Sequence, residues 1–178
     1  MIDRDRLVNS FCDLVRIDSP SDEEEDMARH LTQRLEGLGF QVGRDAHGNV
    51  IATEPGDDYL LLSAHMDTVE PGRGIKPKVD GDRVISGGTT ILGGDCKAGI
   101  AAIIEGITSL SEEGISPKPF EIASTRQEEI GLLGARNLNF SRFTSKEAIV
   151  FDGEGPVTQI TSSSPTHVRF AISVTGRS

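Results

Sequence analysis

The sequence predicts an α/β fold of three layers, a mixed and largely parallel sheet flanked by helices, on three observations. Segments with a helical apolar period alternate with short β-type runs. Two of those runs, Tyr59–Ala64 and Pro119–Ser124, are almost continuously apolar, as strands covered on both faces are. No internal repeat or low-complexity linker interrupts the 178 residues, a length for one domain or one domain plus the start of another.

Asp3 can cap a first helix that carries Leu7, Phe11, Leu14 and Val15 on one face and ends near Ile17, before Ser19-Pro20. Ser21 and Glu24 form a capping-box pattern that opens a second helix, with Met27, Leu31, Leu35 and Leu38 inward and Gly39 as its stop. From Gln41 the period shortens, and strands are expected at 41–44, 50–54 and 59–64, separated by His47-Gly48-Asn49 and Pro55-Gly56-Asp57-Asp58. Runs 76–79 and 83–85 flank Asp80-Gly81-Asp82 as a hairpin. A glycine-rich loop leads into an apolar helix over 98–110. A strand at 119–124, a helical segment at 131–138, a strand at 148–151 and an alternating strand at 168–174 complete the pattern.

Composition excludes several classes. Lys plus Arg total 18 against 28 Asp plus Glu, a net charge of -10, which repels nucleic-acid backbones and anionic membrane surfaces. The acidic run Asp22–Asp26 fits a helix N-terminus. Two cysteines, Cys12 and Cys96, make no disulfide framework. The mixed charges of Met1–Arg6 do not read as a signal peptide, and no apolar run has the length of a membrane span. A cytoplasmic protein with no nucleic-acid or membrane partner is the expectation.

Four segments could carry chemistry. His65 and Asp67 lie at the end of a buried strand and point to one side, so that Asp67 can orient a ligating His65; alone, a strand-end histidine is more often structural. Asp95, set among glycines before the apolar helix, can cap that helix or bridge two cations. Neighbouring Cys96 has no histidine selected by spacing, which argues against a cysteine nucleophile. Glu128 and Glu129 follow the strand at 119–124; one can bind metal while the other acts as a general base, although alone such a pair more often is simply solvated. Asp152 ends another apolar strand and could also simply start a turn. Together these are hard ligands suited to zinc, manganese or cobalt, and strand ends converging on one sheet edge would bring them together.

The order His65-Met66-Asp67, Gly94-Asp95-Cys96-Lys97, Glu128-Glu129 and Asp152-Gly153 resembles the metallopeptidases related to peptidase T and carboxypeptidase G. The strings SAHMDTV, GGTTILGGDCKAGIAAI and TRQEEIGLLGARNL are most similar to the peptidase T-like branch. The resemblance implies a zinc-exopeptidase-like catalytic domain and an aminopeptidase acting on short peptides. It implies two divalent ions, zinc first with cobalt or manganese accepted. His65 and Asp152 would bind one ion, Glu129 the other and Asp95 both, with Asp67 orienting His65 and Glu128 as the base. Cys96 stands where close relatives often have Asp. The family's chains are longer and supply a final histidine ligand beyond a motif like Gly176-Arg177-Ser178; His30, His47 and His167 fit no family position. The implied division is 1–166 as the N-terminal half of the catalytic domain and 167–178 as the first strand of a lid domain, through which the family's homodimers form. An exposed apolar face and an unpaired sheet edge are then expected. Two alternatives stay open: an inactive metal-binding fragment or pseudoenzyme, and a related amidohydrolase or deacylase.

Overall fold

Helix α1 (Arg4–Arg16) begins where the sequence places its cap: the Asp3 carboxylate accepts from the Arg6 amide at 3.0 Å, and Cys12, Leu14 and Val15 are buried. The structure, a computed structural model, describes residues 1–153, 155–163, 166, 168 and 170–176. Helix α2 (Glu25–Gly37) buries Met27, Ala28, Leu31 and Leu35, and the chain leaves it through Gly39 in the left-handed region (φ 93°). The expected capping box is absent. Glu24 is the N-cap but makes no side-chain cap bond, because its carboxylate and the Ser21 hydroxyl are both recruited by distant partners.

The central sheet has the order β1 (Gln41–Arg44), β2 (Val50–Thr53), β6 (Phe120–Thr125), β3 (Leu60–His65), β7 (Glu147–Val150). Strand β2 runs antiparallel to both β1 and β6, whereas β3 is parallel to β6 and β7; four of the five strands therefore point one way. A separate hairpin pairs β4 (Pro77–Asp80) with β5 (Arg83–Ser86) around Gly81. Period-2 alternation sends Leu62, Ala64, Phe120, Ile122, Val50 and Ala52 into one core with α1, α2 and α3 (Gly94–Glu112), where Ile100, Ile103, Ile104 and Ile107 are buried. Each fully buried Leu or Ile there contributes about 1.5–3 kcal/mol. From the opposite face, the buried Glu121 carboxylate accepts from the Thr144 and Ser145 amides, which ties the 3₁₀ turn at Phe140–Arg142 and its continuation to the sheet.

Two expected elements are cut back. The helical segment at 131–138 shrinks to α4 (Leu133–Arg136), because Gly131 (φ 117°) and Leu132 (φ 60°) sit in the left-handed region. The strand at 168–174 does not form among the described residues. Val168, Phe170, Ile172 and Val174 are exposed there, with no neighbouring strand for their backbone to pair with; Arg169 lies outside the described residues. Among the described residues strand β7 is an edge of the sheet, and its Ile149 and Val150 are 46% and 64% exposed. Among the described residues no helix is long and apolar enough to cross a membrane.

Candidate metal centre

Parallel pairing decides what meets at the edge of the sheet. His65 ends β3 in register with Thr125 of β6, and Ser63 pairs with Val150 of β7. The residues after each strand, 66–67, 126–129 and 151–152, therefore leave at one edge, as ligand sites in open α/β sheets do. Helix α3 delivers Asp95 to the same place. His65, Asp95, Cys96 and Asp152 each offer a ligand atom within 4.8 Å of the others, and so do His65, Glu128 and Glu129. All six residues singled out from sequence lie in or beside these two groups, which share His65.

His65 is 2% exposed and fixed from both sides. Its Nδ1 faces the Asp67 carbonyl oxygen at 2.9 Å and the Asp67 carboxylate at 3.3 Å. Both are acceptors, so Nδ1 carries the proton, and Nε2 is left facing Asp95 Oδ1 at 3.0 Å. Burial works against a charged imidazole, but the bonds to Asp67 and Asp95 outweigh it and push His65 up to about 9. Asp67 is fully buried yet held below its usual range: desolvation opposes ionisation, and His65, the Ser21 hydroxyl at 2.7 Å and the Glu128 amide at 2.9 Å favour it.

The other carboxylates behave in the opposite way. Glu128, Glu129 and Asp152 are all raised, first by desolvation and then by one another's charge and that of Asp95, with His65 as the counterweight. One imidazole stands against four acids at a mouth that is partly sheltered from water. A divalent cation would relieve that repulsion, and the donor set of one imidazole nitrogen and several carboxylate oxygens fits one. Cys96 is buried, its thiol pushed up to about 12 by desolvation and donating to the Phe151 carbonyl, so it remains a protonated thiol rather than a nucleophile.

Among the described residues, the remaining histidines His30 and His47 stay out of both groups. His30 is half-buried on α2 and lowered by desolvation, His47 Nε2 faces Gln127 Oε1 at 2.6 Å, and His167 lies outside the described residues. Sequence reasoning missed three contributors. Ser21 reaches Asp67 across 46 residues. Glu24, fully buried, holds Arg126 at 2.6 Å. Lys97, also fully buried, donates to the Ile17 carbonyl at 2.9 Å and ties the start of α3 to the end of α1. Ser21 and Glu24 were visible only as a local cap pattern, and Lys97 only as a neighbour of Asp95.

Residues 61–166 match the model of peptidase family M20/M25/M40, and the chain belongs to that family. Within it, the similarity runs to peptidase T. The chain is 37% identical to the uncharacterized protein YqjE of Bacillus subtilis (strain 168), across 99% of this chain and 51% of that one. It is 29% identical to peptidase T of Serratia proteamaculans (strain 568), across 85% and 48%. The crystal structure of aminopeptidase PepT from Bacillus cereus ATCC 10987 superposes with a TM-score of 0.83 at 39% identity, covering 86% of this chain and 44% of that one. The chain spans about half the length of these relatives.

Proposed function

We propose that this chain carries the metal-binding part of a metal-dependent aminopeptidase of the peptidase T type, acting on short peptides. The observation that carries the reading is the convergence of His65, Asp95, Glu128, Glu129 and Asp152 at one sheet edge, with carboxylates that lack their own cation. Names of relatives such as peptidase T and aminopeptidase PepT support the peptide substrate. His65, Asp95 and Asp152 would hold one divalent ion, and Asp95 and Glu129 would serve a second. Zinc is the first candidate for this nitrogen and oxygen set, with cobalt or manganese as substitutes. Residues 1–166 form the first half of the catalytic domain, and 167–178 begin a second, smaller one. Two free, buried cysteines fit a cytoplasmic setting.

Bound divalent ions supply a water acidified toward neutrality and a polarised carbonyl. The chain's own residues do the rest. Asp67 holds the His65 proton on Nδ1 and so leaves the Nε2 lone pair free to bind a cation. Glu128, raised by burial and by its acidic neighbours, is poised to take a proton from the attacking water and return it to the amine as the C–N bond breaks. Glu128→Gln removes that base while leaving the ligands in place. Hydrolysis of di- and tripeptides should fall by about 10²–10⁴-fold with metal content unchanged. Normal turnover by this variant would refute the assignment of the base, and absence of metal-dependent peptide hydrolysis in the parent would refute the reading as a whole.

A further inference from the structure

Four successive backbone amides precede and include the two glutamates, and each is captured by a side chain from another part of the fold. The Arg126 amide donates to Asn49 Oδ1 at 3.0 Å and the Gln127 amide to Glu24 Oε1 at 3.0 Å. The Glu128 amide donates to Asp67 Oδ1 at 2.9 Å and the Glu129 amide to Asp67 Oδ2 at 3.2 Å. Asn49, Glu24 and Asp67 are all completely buried. We propose that Glu24 is a positioning residue of the metal centre, acting through the Gln127 amide and the Arg126 guanidinium to set the direction in which Glu128 and Glu129 leave the loop. This rests on the proposed roles of Glu129 as a metal ligand and of Glu128 as the base beside it.

The backbone shows why the loop needs holding. Gln127 has φ 55°, a left-handed conformation that a side chain with a Cβ disfavours and that persists only where its surroundings impose it. Gln127 immediately precedes Glu128, so any relaxation of its φ and ψ rotates the peptide plane from which Glu128 departs. Glu24 opposes that relaxation at two points. Its Oε1 takes the amide, while its Oε2 accepts from Arg126 Nε at 2.9 Å and Nη2 at 2.6 Å. The same Nη2 donates to the Asp22 carbonyl at 3.2 Å, closing the brace on the segment that carries Glu24. Packing leaves no slack: a methyl on Gly134 would collide with the Arg126 carbonyl and lie 2.6 Å from Asn49 Oδ1. The segment 19–24 also docks on the other arm of the site, with the Ser19 hydroxyl donating to the Met66 carbonyl at 2.8 Å and the Thr68 amide to the Ser19 carbonyl at 3.0 Å. One short stretch before α2 thus spans the exits of β3 and β6.

The test is a cobalt titration of the whole chain, monitored by visible absorption, with urea unfolding measured in parallel. Glu24→Ala should weaken cobalt binding by about tenfold or more and alter the absorption band, as loss of a residue that orients ligands does. Arg6→Ala, which loosens the α1–α3 junction far from the loop, should lower stability and leave the band unchanged. Should Glu24→Ala fail to fold by circular dichroism, Glu24→Gln carries the test. It keeps an acceptor for the Gln127 amide but loses its charge toward Arg126, so a smaller loss and a shifted band are expected. A wild-type affinity and band in a folded Glu24 variant, whatever its stability, would overturn the proposal. A wild-type chain that binds no cobalt would instead overturn the metal reading on which it rests.

Discussion

Carboxylates gather at two places along α3, around Glu105 in its second half and around Asp95 at its start, and the two sets are balanced differently. Glu105, 2% exposed, meets Arg6 Nε at 2.6 Å and Nη2 at 2.9 Å, the Asp3 amide at 2.8 Å and the Ser109 hydroxyl at 2.7 Å. These bonds override desolvation and hold Glu105 at about 2. Around the start of α3, Glu128, Glu129 and Asp152 are raised, because desolvation and mutual repulsion meet only His65 in compensation. A buried acid that brings its own cation welds elements together, here α1 to α3. A group of acids without one is poised for something the chain does not supply. Exposure alone does not separate the two regions, since Asp95 is 71% exposed and Asp67 fully buried within the same site. The direction of the titration shifts does.

That contrast can be broken in several ways, and the largest effect should come from the closed pair. Arg6→Ala leaves the buried Glu105 carboxylate without its cation and should lower the urea midpoint clearly. An unchanged midpoint would mean the pair is no weld. Acid should expose the same pair more gradually. The folded carboxyl of Glu105 lies at about 2, below its unfolded value near 4.3, so its contribution is present above about pH 4.5 and lost as pH falls toward 2. Glu105→Gln should flatten the stability profile over that window, and an unchanged slope would contradict the assignment. The smallest effect belongs to neither group. Val150 is 64% exposed on β7, and Val150→Ser should shift stability by no more than about 0.5 kcal/mol while reducing any self-association through that edge, measurable by sedimentation.

Much of this architecture was legible in the sequence because the relevant signals are local. The Asp3 cap, the strand at 41–44, the hairpin around Gly81 and the apolar face of α3 each arise from a few neighbouring residues, and the structure places them within a residue or a few of expectation. The gathering of His65, Asp95, Glu128, Glu129 and Asp152 was legible for a different reason: parallel strands that end in polar residues can bring those ends together at one edge. Ser21 and Glu24 show where such reading runs out. Three residues apart, ahead of an apolar helix, they satisfy a local cap pattern, yet their bonds go to Asp67 and Arg126, 46 and 102 residues away. A pattern that two environments can satisfy does not declare which one wins. The left-handed Leu132, which shortens α4, is opaque for a similar reason, since the bonds that hold it come from Glu128 in the loop before it.

The most direct test of the unbalanced site is metal content. The chain is dialysed against zinc or cobalt, freed of excess and assayed for ions per chain, beside Asp95→Asn. At least one tightly held ion is expected in the wild type, with a thermal transition raised by the metal, and both should be lost in the variant. A wild-type chain that retains no ion, or an Asp95→Asn chain that retains as many as the wild type, would contradict it.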